Sequence, residues 1–180
     1  MIKKTIVFVF TILLFGNIYG QKLKTKTGQV NFDAIVTSFE PVKAENNATT
    51  CILDTATGEI ASLILLKGFK FKVALMEEHF NENYVESDKF PKAILKGKIQ
   101  NFDASKLTQT ATPIEIKASI ELHGKKKDVL ISGKIKKTTT GIELTTSFTL
   151  IPEDFDIKIP SVVRGKIGKK VNVTTLFDLK

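Results

Sequence analysis

The sequence predicts an all-β protein, an antiparallel barrel or sandwich built around one enclosed apolar interior. Apolar and polar residues alternate with period two in segment after segment. Ile114, Ile116, Ala118, Ile120 and Leu122 interleave with Glu115, Lys117, Ser119, Glu121 and His123. The same rhythm returns over Val129, Ile131, Gly133 and Ile135, then over Ile142, Leu144, Thr146, Phe148 and Leu150, and finally over Val171, Val173, Thr175, Phe177 and Leu179. A pleated strand sends successive side chains to opposite faces, so each segment has one dry and one wet face. Turn residues separate the segments, and one stretch alone switches to helical spacing.

The elements follow in chain order. Residues 29–37 form the first predicted strand, with Val30, Phe32, Ala34 and Val36 on one face. Residues 48–54 and 59–66 read as a hairpin turned by Thr57-Gly58; the second arm is nearly all apolar, so period does not separate its faces. Over 75–87, Met76, Phe80 and Tyr84 recur at four-residue steps beside Leu75 and His79, which predicts one amphipathic helix of about three turns. Residues 93–102 resume a strand. Lys125, Lys126 and Lys127 read as turn charge between two strands, and Thr139 to Gly141 as a further turn. Pro152, Asp154, Pro160 and Gly165 mark a loop-rich crossing before the last strand. The total is about eight strands and one helix, within the range of small closed barrels.

The first twenty residues stand outside that pattern. Lys3 and Lys4 precede an apolar run from Thr5 to Phe15, and Gly20 sits where a signal peptidase cuts before Gln21. Residues 1–20 are read as a signal peptide, with an uncleaved anchor as the alternative, since a membrane span needs about 20 apolar residues. Residues 21–180 then form one domain, periplasmic or secreted. Its balance is 25 basic against 19 acidic residues. The lysines fall on wet strand faces without interleaved aromatics, which excludes a nucleic-acid stacking platform. Cys51 is the only cysteine, so no internal disulfide forms, and its strand-like setting suits a buried thiol.

Nothing in the sequence assembles a catalytic centre. The two histidines, His79 and His123, do not stand at ligand spacing with each other or with carboxylates, and no metal or cofactor site is read. No nucleophile elbow, phosphate-cradling glycine loop or His-Glu-x-x-His motif occurs. The reading is therefore not an enzyme. The inward residues are mostly Ile, Val, Leu and Phe, with Thr50, Ser62, Thr146 and Thr175 as small polar exceptions. A barrel of this size either fills itself or holds one slender ligand, and the pattern leaves both open.

Three stretches carry a family resemblance. Leu75-Met76-Glu77-Glu78-His79-Phe80-Asn81-Glu82-Asn83-Tyr84, followed by Lys89-Phe90-Pro91-Lys92-Ala93-Ile94-Leu95-Lys96-Gly97, resembles the YceI-like family, with a His before a large apolar residue and an aromatic-Pro step into a strand. Ile120-Glu121-Leu122-His123-Gly124 and the lysines after it are similar to that family's strand ending in His-Gly. Phe148-Thr149-Leu150-Ile151-Pro152-Glu153-Asp154-Phe155 is similar to its later Phe-to-acidic-Phe step. The resemblance spans about residues 28 to 179. Phe80-Asn81-Glu82-Asn83-Tyr84 resembles a Bacteroidetes-type subgroup. Many relatives carry Arg three residues before the matching His, where this chain has Met76.

The resemblance implies an extended eight-stranded antiparallel lipocalin-like barrel with one amphipathic helix. It also implies an exported carrier whose apolar tunnel takes a polyisoprenoid chain, such as a quinone tail or polyprenyl lipid. The residues assigned to the tunnel lining are Phe32, Val36, Leu95, Ile99, Ile116, Ile120, Ile131, Leu144, Phe148, Val173 and Phe177. Met76, His79, Phe80 and Tyr84 are assigned to the mouth, where His79 either donates to a polar head group or packs as a hydrogen-bonded residue. No cofactor is expected beyond an isoprenoid lipid or quinone as bound ligand. The partners admitted are an isoprenoid or other long-chain lipid, a membrane surface met transiently and a second copy in a homodimer; nucleic acid is not among them. The alternative function is a stress-related envelope interaction module with a solid core and a basic outer face.

Overall fold

The computed structural model describes residues 22–35, 42–161 and 167–180. Nine strands are present among them: β1 (Lys22–Ile35), β2 (Lys43–Asp54), β3 (Glu59–Leu65), β4 (Lys70–Phe71), β5 (Lys92–Ile99), β6 (Thr112–Leu122), β7 (Lys125–Lys137), β8 (Ile142–Leu150) and β9 (Ile167–Leu179). The spatial order is β1-β9-β8-β7-β6-β5-β3-β2, and pairing of β1 with β2 closes the ring. This is a closed eight-stranded antiparallel barrel; β4 is a two-residue extension paired with β2 at Ala44 and Glu45.

The alternation read from sequence sets the inner face. Ile116 and Ile120 on β6, Ile131 and Ile135 on β7, and Leu144 on β8 are all buried, while the charged residues between them face out. Cross-strand register stacks these side chains: Ile99 opposes Ile116, Ile116 opposes Ile131, and Leu144 opposes both Ile135 and Phe177. Such pairs, with side chains in direct contact across the ladder, are the unit of sheet stabilisation.

Four local features depart from the sequence reading. First, β1 begins at Lys22 rather than residue 29. Its early half, Lys22 to Thr27, lacks apolar alternation and is held by backbone pairing to β2. Lys24 N also donates to Lys180 O (2.8 Å) and Lys180 N to Lys24 O (3.1 Å), which extends the seam with β9. Second, β2 carries an irregularity facing Gly28 and Val30, so Thr49 rather than Thr50 turns inward. The buried Asn46 side chain holds that kink, accepting from Ala48 N (3.0 Å) and donating to Leu65 O (2.9 Å). An extra residue in one strand shifts the facing of everything beyond it.

Third, Lys125, Lys126 and Lys127 belong to β7, not to a turn. The β6–β7 connection is only His123-Gly124, with φ of 50° and 72°. Positive φ at both central residues gives the hairpin turn whose twist matches the strands, and Gly124 adopts it without strain. Fourth, the helix is shorter and compound. An α-helical turn, α1 (Ala74–His79), runs into a π-helical segment, Phe80–Tyr84, whose last carbonyl bond spans five residues from Val85 N to Phe80 O (3.0 Å). The wider π turn keeps Met76, Phe80 and Tyr84 on the barrel side of this element.

Candidate functional site: an apolar cavity at one end of the barrel

The inward side chains do different things at the two ends of the barrel. At one end Leu53, Ile99, Ile116, Ile131, Ile135, Leu144, Phe177 and Leu179 fill the lumen, none of them more than 4% exposed. At the other end they line a cavity of about 340 Å³. Its wall takes residues from six strands of the barrel: Val30 and Phe32 on β1, Ile64 on β3, Leu95 on β5, Ile120 on β6, Phe148 on β8 and Val173 on β9. Phe32, Leu95, Ile120 and Phe148 lie two or three residues from the end of their strands, so the cavity occupies one mouth of the barrel.

Two further elements complete the wall. The crossing after β8 contributes Phe155, Ile157 and Ile159, all buried. The helical flank, α1 and its π segment, contributes Met76, His79, Phe80 and Tyr84. Four phenylalanine rings weld that flank to the sheet. Phe32 lies 5.2 Å from Phe69, 5.7 Å from Phe71 and 5.4 Å from Phe80, centroid to centroid, and Phe69 and Phe71 lie 5.6 and 5.2 Å from Phe80. Edge-on and tilted contacts at these separations each add to the gain from burial alone.

The cavity is chemically uniform. Among the lining residues only His79 and Tyr84 carry a polar side-chain group, and both stand on the helical flank. His79 is exposed, which places the opening of the cavity beside it. Burial pushes the Tyr84 hydroxyl above its usual value, so it remains a neutral donor. Such a lining favours an apolar chain, with polar selection confined to the entrance.

Of the residues the sequence assigned to a tunnel, Phe32, Leu95, Ile120, Phe148 and Val173 stand in this wall, as do the four assigned to its mouth. Val36 lies outside the described residues. Ile99, Ile116, Ile131, Leu144 and Phe177 do not reach the cavity; they form the packed end. Alternation reports which way a side chain points, not how far along the barrel axis it sits. Phe69, Phe71, Phe155, Ile157 and Ile159 were missed. Their period-two spacing is visible, but Pro and Gly around them mark loops.

His123 is the other residue whose role the sequence did not show. Its ring, with 10% of the side chain exposed, is buried beneath the β6–β7 turn. Nδ1 donates to the Phe155 carbonyl (3.0 Å), Nε2 meets Glu86 Oε2 (2.6 Å), and the Phe90 ring lies 4.5 Å away. His123 thus ties together the end of the helical flank, the β6–β7 turn and the crossing after β8, three segments that abut cavity-lining residues. Next to it Lys125 pairs with Asp156 (2.9 Å), and that lysine holds the Asp156 carboxyl below its usual range. On the helical flank, Glu77 accepts from Lys70 Nζ (2.7 Å) and Phe71 N (3.2 Å), anchoring α1 to β4.

A family model for the YceI-like domain matches residues 3–179. The chain belongs to the YceI-like family. Solved structures of YceI-like architecture show the same barrel. A polyisoprenoid-binding domain from Saccharophagus degradans, implicated in plant cell wall breakdown, superimposes with a TM-score of 0.71 at 13% identity, covering 88% of this chain and 95% of that one. BcnA of Burkholderia cenocepacia gives 0.68 at 10% identity, covering 84% and 94%. The YceI protein of Campylobacter jejuni gives 0.63 at 12% identity, covering 81% and 88%. No curated protein matches the chain in sequence. At these identities the structural likeness concerns the fold. In this YceI-like chain the barrel is neither wholly solid nor wholly hollow.

Proposed function

We propose that this protein is an exported lipid carrier that sequesters the chain of an isoprenoid, a quinone tail or polyprenyl group, in the barrel cavity. The observation that carries this reading is the lining itself: an apolar wall interrupted only at the entrance by His79 and Tyr84. Each methylene moved from water into such a wall gains about 0.8 kcal/mol, so a tail binds without any buried polar contact. Membership of the YceI-like family and the likeness to a polyisoprenoid-binding domain support the same ligand class. His79 and Tyr84 then serve the head group as donors, and no catalytic step is assigned to them. Val73, Leu75 and Ile151, exposed large apolar residues beside the cavity, support transient contact with the membrane from which a tail is collected. Export rests on the leader-like segment 1–20, and sequencing of the mature amino terminus from the envelope fraction is expected to begin at Gln21.

Mass spectrometry of an organic extract of the natively purified protein tests the reading. A prenyl-chain lipid in near-stoichiometric amount, or saturable uptake of an added prenyl alcohol, is expected. Extracts free of lipid, with no uptake, overturn it.

A further inference from the structure

We propose that Glu86, His123 and the Phe155 carbonyl form a proton-dependent latch on the cavity wall, closed while Glu86 and His123 share a proton and open once alkali removes it. This rests on the carrier reading only for what the opening releases. The geometry fixes the proton count. Nδ1 of His123 lies 3.0 Å from the Phe155 carbonyl oxygen, and Nε2 lies 2.6 Å from Glu86 Oε2. A carbonyl only accepts, so Nδ1 carries a proton and donates it. A carboxylate also only accepts, so the short contact at Nε2 needs a second proton, on the ring or on Glu86. A neutral ring beside a carboxylate has one proton for two acceptors, and it loses one contact whichever tautomer it adopts. The Glu86 side chain is 43% exposed and can turn to water; the ring, at 10%, is held in place. The other charges around the ring come from each element packed on it. Lys89 of the flank lies 3.9 Å from Glu86 Oε1, Lys125 of β7 is bound to Asp156 at 2.9 Å, and Lys158 stands near Asp156 on the crossing. Lysine and aspartate side chains keep their charge between about pH 6 and 8.5, whereas an imidazole does not.

The latch is built into the wall. Phe155 lines the cavity, and so do Val85 and Leu122, the chain neighbours of Glu86 and His123. The backbone at the contact is also strained. Glu86, His123 and Asp156 have φ of 45°, 50° and 56°, three of the four non-glycine residues with positive φ among the described residues. A residue with a Cβ enters that region at a cost, and stays there where surrounding contacts over-determine it. Losing the Glu86 contact therefore unties the end of the helical flank, with Val85, from the crossing that carries Phe155.

The test follows dissociation of bound farnesol, a prenyl alcohol, from the purified protein between about pH 6 and 8.5. Alongside it, hydrogen exchange of residues 85–90 and 152–157 is read in the ligand-free protein and corrected for its intrinsic pH dependence. Dissociation is expected to accelerate at least about fivefold over that range, with corrected exchange rising in both segments. Glu86→Gln is the decisive variant. Its amide donates to a neutral Nε2 without the extra proton, so both quantities should stay within about twofold across the range. A pH effect arising at His79, the other histidine, would survive Glu86→Gln. That survival, or a pH-independent unaltered chain, overturns the latch. So does a His123→Ala chain that folds and retains farnesol at about pH 6 as long as the unaltered protein does. Failure of farnesol to bind overturns the carrier reading alone. Exchange then decides the latch: a rise with pH that Glu86→Gln abolishes upholds it, and any other pattern sinks it.

Discussion

At one end of the barrel Ile99, Ile116 and Ile131 lie side by side across three strands at 0–1% exposure; at the other Leu95, Ile120 and Phe148 face a void. The residue types are the same and so is the alternation. What differs is what reaches in from outside the strands. At the packed end, opposed strand side chains meet one another. At the hollow end a helical flank and the crossing after β8 supply part of the wall, with Phe80 and Phe155 among the lining residues. A lumen of this diameter is just filled by its own side chains, so any covering that keeps opposite walls from being completed leaves room for a slender guest. Stability and binding are thereby assigned to different halves of one sheet.

Substitutions that treat the halves alike should have unlike effects. Leu144→Ala, in the solid end, is expected to cost about 2–5 kcal/mol in urea unfolding, since it opens a void among close-packed neighbours. Leu95→Ala, which borders space already empty, is expected to cost less than half as much; equal losses would mean that the void closes in solution. His123→Ala removes the tie among helical flank, turn and crossing, and is expected to cost about 1–3 kcal/mol, with faster hydrogen exchange in those three segments first. Leu95→Asn, polar but small, is expected to leave folding cooperative and weaken prenyl-alcohol binding by about tenfold or more, read by displacement titration. The smallest effect is reserved for Glu77→Gln, about 0.5 kcal/mol or less at neutral pH.

Acidification checks that last contact with a definite sign. The Lys70 ammonium beside Glu77, with the Phe71 amide, holds its carboxyl below the usual glutamate range. Its contribution is therefore complete above the unfolded-state value and disappears as pH falls through the lower folded-state value. Any loosening of α1 from β4 is expected only on strong acidification, no larger than that caused by Glu77→Gln, which should remove the pH dependence. Cys51 offers an internal reporter for the other half. It is fully buried in β2 and burial pushes its thiol up to about 12, so a thiol reagent at mildly alkaline pH should label it only after the solid end opens. Leu144→Ala should accelerate that labelling; Leu95→Ala should not.

The barrel was legible in the sequence because alternation at Ile114–Leu122, Ile142–Leu150 and Val171–Leu179 is a direct imprint of a half-buried pleat. The helical flank was legible from Met76, Phe80 and Tyr84, although not its change from α to π winding, which no local spacing announces. Lys22–Thr27 stayed hidden because that half of β1 is fixed by ladder hydrogen bonds, and these leave no mark in hydropathy. Depth along the axis stayed hidden for a related reason: Phe148 and Leu144 carry the same signal, yet one faces the cavity and the other is sealed in the core. His123 looked like an outward residue of a regular strand. Only the turn it occupies, bringing the crossing and Glu86 to its ring, gives it a role.

Ring closure in this topology joins β1, the earliest described strand, to β9, the latest, through ladders at both Gln29–Ile35 and Lys24. During synthesis every other pairing can form first, but β1 and β8 each keep a bare edge until β9 has left the ribosome. A nascent chain is thus an open, sticky sheet to its final moments. Loss of the last dozen residues would cost far more than one strand, because it would leave two complementary edges free to capture a neighbour.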